Sequence, residues 1–571
     1  MIENTSKMIR IFRLILLIGI IVWAAVTINT GFYVDENGLL VTYKGIFEGQ
    51  RMFVDSWESL QTGGFLAWPL MALYYNVLSP FFSSTGIYIG LVLYMRIMYM
   101  LVRGLVALYL YYTIKNTSYE DGAFPAALFY FMFVVTWKNF SYKSYCELAV
   151  MLLICFMIRF HETEKARFFV FAGLACCVAI LAYPTMIILA VAVGVLLLVQ
   201  MYNNRIDSRP LIAFVVTCVV VGGIFLIYLQ LTTGISEAFG QLKYLGDQDY
   251  ENGVLYRLGT LIASYAVLAV VAYIPILVIY LIRRVRYISD YTEHLVLTVY
   301  WVLFFIGVCV ARPGSVSNSR FIYACVILYF WFPYFVHEQN DNEYTRIGAY
   351  NSSVSDVKGI MWPIFVISTV SQFIWMVSTN QDISVPGHMA VYVVIADIII
   401  MSDEEKFLKG LNCIILAVAA FFMGFWVPEG NGGYADVTQH RFVVYYGELK
   451  GVALLDKEYD SYIASYNLVT QNVGKDDSLL VAFGSNSAGY LNNVGKMGTY
   501  SVYARTQKNT KLLDFYELHP ENQADYVLID EANSKYEAFK EGETGQYILS
   551  NYTNEVAREG SMVLLKRGDA N

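Results

Sequence analysis

Long apolar stretches recur along most of this chain, and they constrain its fold more than any other feature. Hydrophobic residues make up 57% of the 571 residues, too many for a protein that exposes its whole surface to water. About thirteen stretches are roughly 15–29 residues long, and most are long enough to cross a bilayer core of about 30 Å. They lie at 10–29, 86–114, 122–137, 147–160, 168–183, 184–202, 211–231, 258–282, 294–311, 321–336, 358–378, 387–401 and 408–427. The sequence therefore predicts a polytopic α-helical membrane domain over residues 1–427.

Basic residues set the expected orientation of these spans. Lys7, Arg10 and Arg13 precede the first apolar run, which is long and lacks a clear small-x-small cleavage site, so a retained span is expected rather than a signal peptide. With the N-terminus inside, about sixteen Lys and Arg residues fall in inner segments and about eight in outer loops. An odd number of spans then places the C-terminal region on the extracytoplasmic side.

The composition from about Pro428 onward is that of a water-soluble domain. Helical periodicity at 459–473 is followed by strand-like runs at 478–483, 526–530 and 561–566. Strands that alternate with helices predict a C-terminal soluble α/β domain over 428–571.

Charge and cysteine content argue against three classes of protein. The formal charge of -8 and the lack of a basic stripe argue against a nucleic-acid partner. The eight cysteines fall in or beside apolar runs without zinc-type spacing, so neither a disulfide scaffold nor a structural zinc site is expected.

Two adjacent carboxylates, Asp35 and Glu36, open a long outer loop at 30–85. Because hydrocarbon rejects charge, this pair must face water, a metal or a cation. An amphipathic stretch follows from Leu40 to Phe47. The apolar segment Phe65 to Met71 contains Pro69, and we expect it to be too short and interrupted to span, and to lie in the interface plane.

The outer loop and the spans that follow it resemble the GT-C superfamily, the polytopic membrane glycosyltransferases that use polyprenyl-phosphate-linked sugars, and in particular proteins like the dolichyl-phosphate-mannose-protein mannosyltransferases. Those proteins carry an acidic motif, often Asp-Glu, just after the first span. Further matching strings are Tyr43-Lys-Gly-Ile-Phe-Glu-Gly-Gln-Arg-Met-Phe-Val-Asp55, Trp68-Pro69-Leu70, Arg96, Ser141-Tyr-Lys-Ser-Tyr-Cys-Glu147 and Ser319-Arg320-Phe321.

The resemblance implies an enzyme that transfers a sugar from a polyprenyl-phosphate donor to an envelope glycan, lipid or protein acceptor at the outer face of the cell membrane. Asp35 is the expected catalytic residue, with Glu36 in support. It either takes a proton from the acceptor hydroxyl or ligates a divalent metal (Mg²⁺, Mn²⁺ or Ca²⁺) at the leaving phosphate. A capping role for the pair at the start of an interfacial helix is the structural alternative.

Other acids are weaker candidates for the same site. Glu147 and Asp55 are candidates for a second acid, although a water-exposed helix start also explains Glu147. Asp247 and Asp249 have a D-x-D spacing that suits a metal, and a polar loop tip explains them equally well.

Three arginines are candidates to bind the donor phosphate, because arginine grips phosphate bidentately and keeps its charge. They are Arg320, Arg312 and Arg96. Snorkelling to the interface is the alternative for the first two. Arg96 is the one charge expected deep in an apolar run, and it needs a polar partner. His388, in an outer loop, is a candidate substrate contact.

Two other classes of function remain open at this stage. One is a non-catalytic glycan-binding scaffold of the envelope that keeps the GT-C architecture. The other is a transporter of lipid-linked saccharides, a class expected to show inverted repeats and charges near the bilayer midplane.

Overall fold

The structure is a computed structural model of the chain that describes residues 2–85, 88–134, 137–245, 254–311, 318–345, 360–378, 383, 385–403, 425–428, 434–483 and 488–568. Helices dominate the first four hundred residues. In chain order they are α1 (Ile2–Thr27), α2 (Val34–Phe47), α3 (Gly63–Leu73), α4 (Ser79–Thr85), α5 (Leu91–Lys115), α6 (Ala123–Met132), α7 (Tyr142–Thr163), α8 (Arg167–Ala182), α9 (Ile187–Tyr202), α10 (Arg209–Thr232), α11 (Ile235–Leu245), α12 (Val254–Arg283), α13 (Asp290–Ala311), α14 (Asn318–Thr345), α15 (Trp362–Ser378) and α16 (Ala390–Asp403).

The multi-pass membrane architecture is confirmed. Seven described helices are long and apolar enough to cross a bilayer, and five more apolar helices are shorter. Twelve of the thirteen predicted spans overlap described helices, and the stretch 408–427 lies mostly outside the described residues. Only 6% of the most apolar part of α10 is buried against protein, compared with 67% for α7. Helix α10 therefore lies at the periphery and α7 near the centre of the bundle.

Two helix starts show how local sequence sets these boundaries. Ser141 and Ser144 form a reciprocal capping box at the start of α7, each hydroxyl accepting from the other residue's backbone N–H. Pro184 begins a short 3₁₀ turn, Pro184–Met186, between α8 and α9. The two predicted stretches at 168–183 and 184–202 are therefore separate helices joined by a turn.

The segment from Phe65 to Met71 differs from its expected form. Helix α3 accommodates Pro69 and continues through a π-helical turn, Tyr74–Leu78, into α4. The whole helix, Gly63–Thr85, has 23 residues and is apolar enough to span. The helix is therefore longer and less interrupted than expected, because proline removes one backbone donor without ending it. Its predicted position in the interface plane stays a prediction.

The described part of the C-terminal region contains three sheets. The strands are β1 (Trp426–Pro428), β2 (Tyr434–Asp436), β3 (Phe442–Val443), β4 (Ala453–Leu454), β5 (Ser478–Val481), β6 (Lys496–Met497), β7 (Tyr526–Asp530), β8 (Asn554–Glu559) and β9 (Met562–Lys566). The main sheet has the order β6-β5-β7-β9-β8, in which β5 is parallel to both β6 and β7, and β9 is antiparallel to β7 and β8. Its helices are α17 (Asp456–Asn472), α18 (Ala488–Asn492), α19 (Lys511–Leu518), α20 (Tyr536–Glu541) and α21 (Glu543–Asn551).

Helix α2 lies between the membrane helices and this C-terminal domain. Ten of its residues are buried, so the expected amphipathic pattern over Leu40 to Phe47 is wrong. Lys44, on the C-terminal-domain side, donates to the carbonyl oxygens of Leu491 (2.8 Å) and Asn493 (2.7 Å). Most of the helix is buried because packing partners cover it from two separate parts of the chain.

Backbone contacts also join the C-terminal domain to the first loop. Gly31 N–H donates to Ala453 O (2.8 Å), and Ala453 N–H donates to Asn29 O (2.7 Å). Near the start of α5, Glu448 accepts hydrogen bonds from Leu91 N–H (3.3 Å) and from two tyrosine hydroxyls. The C-terminal domain and the loop after α1 therefore lie on the same side of the membrane helices.

Candidate active site

The first turn of α2 is anchored by a buried ion pair. The Glu36 carboxylate accepts hydrogen bonds from Arg96 Nε (2.8 Å) and Nη2 (2.6 Å), and from Asn139 Nδ2 (2.7 Å). Glu36 is 1% exposed and Arg96 is 4% exposed. This bidentate geometry fixes the orientation of both groups. The pair ties the start of α2 to α5 and to the segment before α7.

Arg96 has no N–H group left over in this arrangement. Its remaining donors reach three backbone carbonyl oxygens, those of Ile28, Thr30 and Gly31. A guanidinium has five N–H donors, and all five are therefore used. A donor phosphate would have to displace one of these acceptors, so phosphate binding by Arg96 stays a prediction. The polar partner expected for Arg96 is Glu36.

Asp35, one residue earlier, has a different environment. Its side chain is half-buried, and no described residue hydrogen bonds to its carboxylate. The Tyr503 hydroxyl donates instead to the backbone oxygens of Val34 (3.2 Å) and Asp35 (3.1 Å). Tyr503 can lie this close because residue 38 is glycine: a Cβ there would be 1.9 Å from the Tyr503 hydroxyl oxygen. The backbone of Asp35 is held in place while its carboxylate stays available.

A cavity of about 980 Å³ separates the first turn of α2 from the C-terminal domain. Asp35 lines this cavity and Glu36 does not. The α2 side is formed by Phe32, Tyr33, Val34, Asp35 and Asn37. The opposite wall includes the charged side chains of Lys457, Glu458, Arg505, Lys508, Asp530 and Lys535. The volume suits a small saccharide, because ligand pockets commonly measure about 300–1,000 Å³.

The electrostatic environment of Asp35 favours a basic carboxylate. Burial raises the pKa of Asp35 above its usual range, and the positive charge of Lys143 opposes this rise. A carboxylate with a raised pKa binds a proton more strongly and is a better general base. The arrangement can therefore accept a proton from a hydroxyl group in the cavity.

A second buried ion pair lies deeper in the helix bundle. Arg103 Nη1 donates to Glu147 Oε1 (2.9 Å) and to the Tyr99 hydroxyl (3.0 Å). Arg103 is 0% exposed and its guanidinium lies 4.4 Å from the ring centre of Tyr130. The alternative of a water-exposed Glu147 is wrong, because Arg103 neutralises it inside the protein. Its role as a second acid stays a prediction, and it does not line the cavity.

Sequence reasoning missed Arg103, and Arg96 is therefore not the only charge buried in α5. The spacing of the two arginines in the sequence could have revealed Arg103. Seven residues separate Arg96 from Arg103, which is two helical turns, so both side chains leave the same face of α5. Two costly charges on one helix face predict two acidic partners on neighbouring segments.

The structure places Asp55 and His388 away from this cavity. Asp55 forms a close ion pair with Arg51 (2.7 Å), which also approaches Glu237 (3.3 Å). His388 is 1% exposed, and its ring meets Trp375 edge-on at 4.9 Å. Neither residue lines the cavity. Their predicted roles as second acid and substrate contact stay predictions.

Four predicted binding residues lack a description of their side chains. Arg312, Asp247 and Asp249 lie outside the described residues, and Arg320 belongs to α14 with no description of its side chain. Within the described part of the chain, no group of three or more His, Cys, Asp or Glu side chains is placed to hold a metal ion. The divalent metal and the phosphate contacts of Arg312 and Arg320 therefore stay predictions.

Comparison with known proteins supports the sequence resemblance over part of the chain. Residues 80–228, about a quarter of the sequence, match the model of a family described as dolichyl-phosphate-mannose-protein mannosyltransferase. This segment is similar to that family. The match contains α5 to α9 and most of α10, and hence Arg96, Arg103, Asn139 and Glu147. The predicted GT-C resemblance is confirmed for these helices.

Two solved structures are similar along nearly the whole chain. The apo crystal structure of ArnT from Cupriavidus metallidurans aligns with 12% identity and a TM-score of 0.47, covering 98% of both chains. The structure of the same protein bound to undecaprenyl phosphate aligns with 12% identity and a TM-score of 0.44, covering 97% of both chains. No curated protein sequence matches this chain.

Proposed function

We propose that this protein is a membrane glycosyltransferase that uses Asp35 as its general base. The observation that carries the proposal is the carboxylate of Asp35, which lines the cavity with no hydrogen-bonding partner among the described residues. Its neighbour Glu36 is fully engaged by Arg96 and Asn139. The acidic pair thus divides into one buried anchor and one available base.

The proposed reaction moves a sugar from a polyprenyl-phosphate donor to a hydroxyl group of a glycan, lipid or protein acceptor. Asp35 takes the proton of the acceptor hydroxyl while that oxygen attacks the anomeric carbon. The bond from the anomeric carbon to the phosphate oxygen breaks, and the polyprenyl phosphate leaves with the bonding electron pair. A single displacement of this kind inverts the anomeric configuration. The family match over residues 80–228 supports the donor class.

The proposed site faces the extracytoplasmic side, with the N-terminus in the cytoplasm. The excess of Lys and Arg in alternate loops supports this orientation. The first loop and the C-terminal domain share one side of the helices through Gly31, Ala453 and Glu448. Both walls of the cavity therefore belong to the same compartment.

A transporter of lipid-linked saccharides is the second candidate that an observation favours. Arg103 and Glu147 form an ion pair between two membrane helices, and intramembrane charges also occur in substrate pathways of transporters. The two candidates differ in their dependence on Asp35, since a transporter forms no glycosidic bond.

The direct test compares Asp35→Asn with Asp476→Asn in the full-length protein. Asp476 is an exposed acid of the C-terminal domain outside the cavity, so it controls for the loss of one negative charge. Each variant is expressed at matched membrane abundance in cells lacking the native protein, and envelope glycans are analysed by mass spectrometry. We expect Asp35→Asn to lower transfer by about 100-fold or more. Normal glycans with Asp35→Asn would contradict the proposed base.

A further inference from the structure

The wall of the cavity opposite Asp35 is the carboxyl edge of the main sheet. Strands β5, β6 and β7 are parallel, and the segments that follow all three strands line the cavity. Phe483 follows β5, and the stretch from Tyr503 to Lys508 follows β6. Asp530 is the last residue of β7, and the residues up to Lys535 follow that strand. Helix α17, which precedes β5, completes this wall with Lys457 and Ser465.

The connections of this sheet change direction between β5 and β7. After β5 the chain crosses to β6 on one side, and after β7 it continues to β8 and β9 on the other. In open α/β sheets the loops on either side of such a switch point separate and leave a crevice outside the carboxyl ends of the strands, where ligands bind. The cavity occupies this crevice, with Asp35 across from it.

The charges of the crevice favour an anion. Lys457, Lys508 and Lys535 are exposed side chains that line it, and no carboxylate of a described residue forms an ion pair with any of them. The two acids of this wall already accept hydrogen bonds within the domain: Asp530 from the Ser561 hydroxyl (2.7 Å), and Glu458 from Leu455 N–H (3.4 Å). The lysine charges therefore remain available to a ligand.

A buried hydroxyl adds a second polar contact. Ser465 is 2% exposed and lines the cavity, and its hydroxyl has no partner among the described residues. A buried polar group without a partner is costly, and a ligand that donates to or accepts from it removes that cost. Saccharides carry many hydroxyl groups that can do so.

We propose that the C-terminal domain binds the acceptor in this crevice, and that the acceptor is an anionic saccharide. The inference rests on the proposed transferase function, because it places the acceptor hydroxyl between the sheet edge and Asp35. The lysines hold the acidic groups of the acceptor, Ser465 bonds to one of its hydroxyl groups, and Asp35 faces the hydroxyl that reacts.

Binding of a charged saccharide to the full-length protein tests this proposal. The protein is placed in phosphatidylcholine nanodiscs, which carry no net charge, and titrated calorimetrically with oligogalacturonate and with its methyl ester. We expect the charged probe to bind more tightly, with an affinity that falls as salt is added. We expect Lys508→Gln to weaken this binding about five-fold. Ser465→Ala should weaken the binding of both probes to a similar degree.

Lys475→Gln is the matched control, because Lys475 is an exposed lysine of the same domain that does not line the cavity. The proposal is overturned if neither probe binds, if both bind equally, or if Lys508→Gln and Lys475→Gln have equal effects. Loss of probe binding when the nanodiscs contain phosphatidylglycerol would also contradict it, since the crevice would then prefer lipid headgroups.

The experiments can distinguish failure of the proposed acceptor site from failure of the proposed reaction. Asp35→Asn should still bind the charged probe although its sugar transfer falls by about 100-fold or more. If Asp35→Asn transfers sugar normally, the catalytic proposal fails while the binding result stands. If Asp35→Asn abolishes transfer and Lys508→Gln leaves probe binding unchanged, the proposed acceptor site is wrong, and the proposal that Asp35 is the base is still supported.

Discussion

The buried pair of Glu36 and Arg96 makes a sharp prediction about stability. Replacing Glu36 with Gln leaves the Arg96 charge buried without its counterion, and such a loss costs about 3–5 kcal/mol. Three backbone carbonyl oxygens continue to accept from Arg96, so we expect about 3 kcal/mol, the lower end of this range. Asp35→Asn removes no hydrogen bond between described residues and should change the free energy of unfolding by less than about 0.5 kcal/mol.

Steric trapping in bicelles measures these free energies of unfolding at equilibrium. The double variant Glu36→Gln/Arg96→Gln removes both charges, so its loss should be smaller than the sum of the two single losses by about 2 kcal/mol. Equal stability of Glu36→Gln and Asp35→Asn would refute the division of the acidic pair into an anchor and a base. Additive single losses would show that Glu36 and Arg96 do not stabilise each other.

Three further predictions follow from the site and its surroundings. Transfer activity should fall as the pH drops through the pKa of Asp35, and because burial raises that pKa, the fall should come at a higher pH than for an ordinary aspartate. In Lys143→Gln the acidic limb of the pH–rate profile should move to still higher pH, because the charge of Lys143 lowers the pKa of Asp35. An unmoved limb in that variant would exclude Asp35 as the titrating group. Arg103→Gln should destabilise the protein by about 3–5 kcal/mol by leaving Glu147 buried and unpaired, and wild-type stability by steric trapping would contradict this. Glu448→Gln should weaken the hydrogen bonds from Leu91 N–H and from two tyrosine hydroxyls. Limited proteolysis should then release the C-terminal domain faster than in wild type, and an unchanged rate would show that other contacts hold the domain.

The sequence was sufficient to predict the elements that carry a strong local signal. Twelve spans were predicted from apolar length alone, and β5, β7 and β9 from short apolar runs. Strands β6 and β3 have two residues each, too few to show a period. Strand β8 is an edge strand with a mostly polar sequence, Asn554–Glu559, and most of its residues are exposed. These strands are set by pairing with their neighbours, which local sequence does not encode.

The sequence could predict the pair of acids in the candidate site, but it could not predict that the two side chains lie in different environments. Asp35 and Glu36 share a position just after the first span, which is visible in the sequence. Their separation depends on Arg96, Asn139 and Tyr503, which come from three distant parts of the chain. The burial of α2 has the same origin. Its expected polar face is covered by residues more than four hundred positions later, such as Leu491 and Asn493.

The sandwiched position of α2 has a consequence for the order of biosynthesis. Its segment is made early, yet the residues that cover Lys44 and complete the cavity, from Lys457 to Lys535, are among the last to leave the ribosome. Until then the segment has an incomplete set of packing partners, and contacts of such long sequence separation form slowly. A chain that stops before the C-terminal domain would contain Asp35 and Glu36 but only half of a site. The order of synthesis thereby delays completion of the cavity until the C-terminal domain has folded.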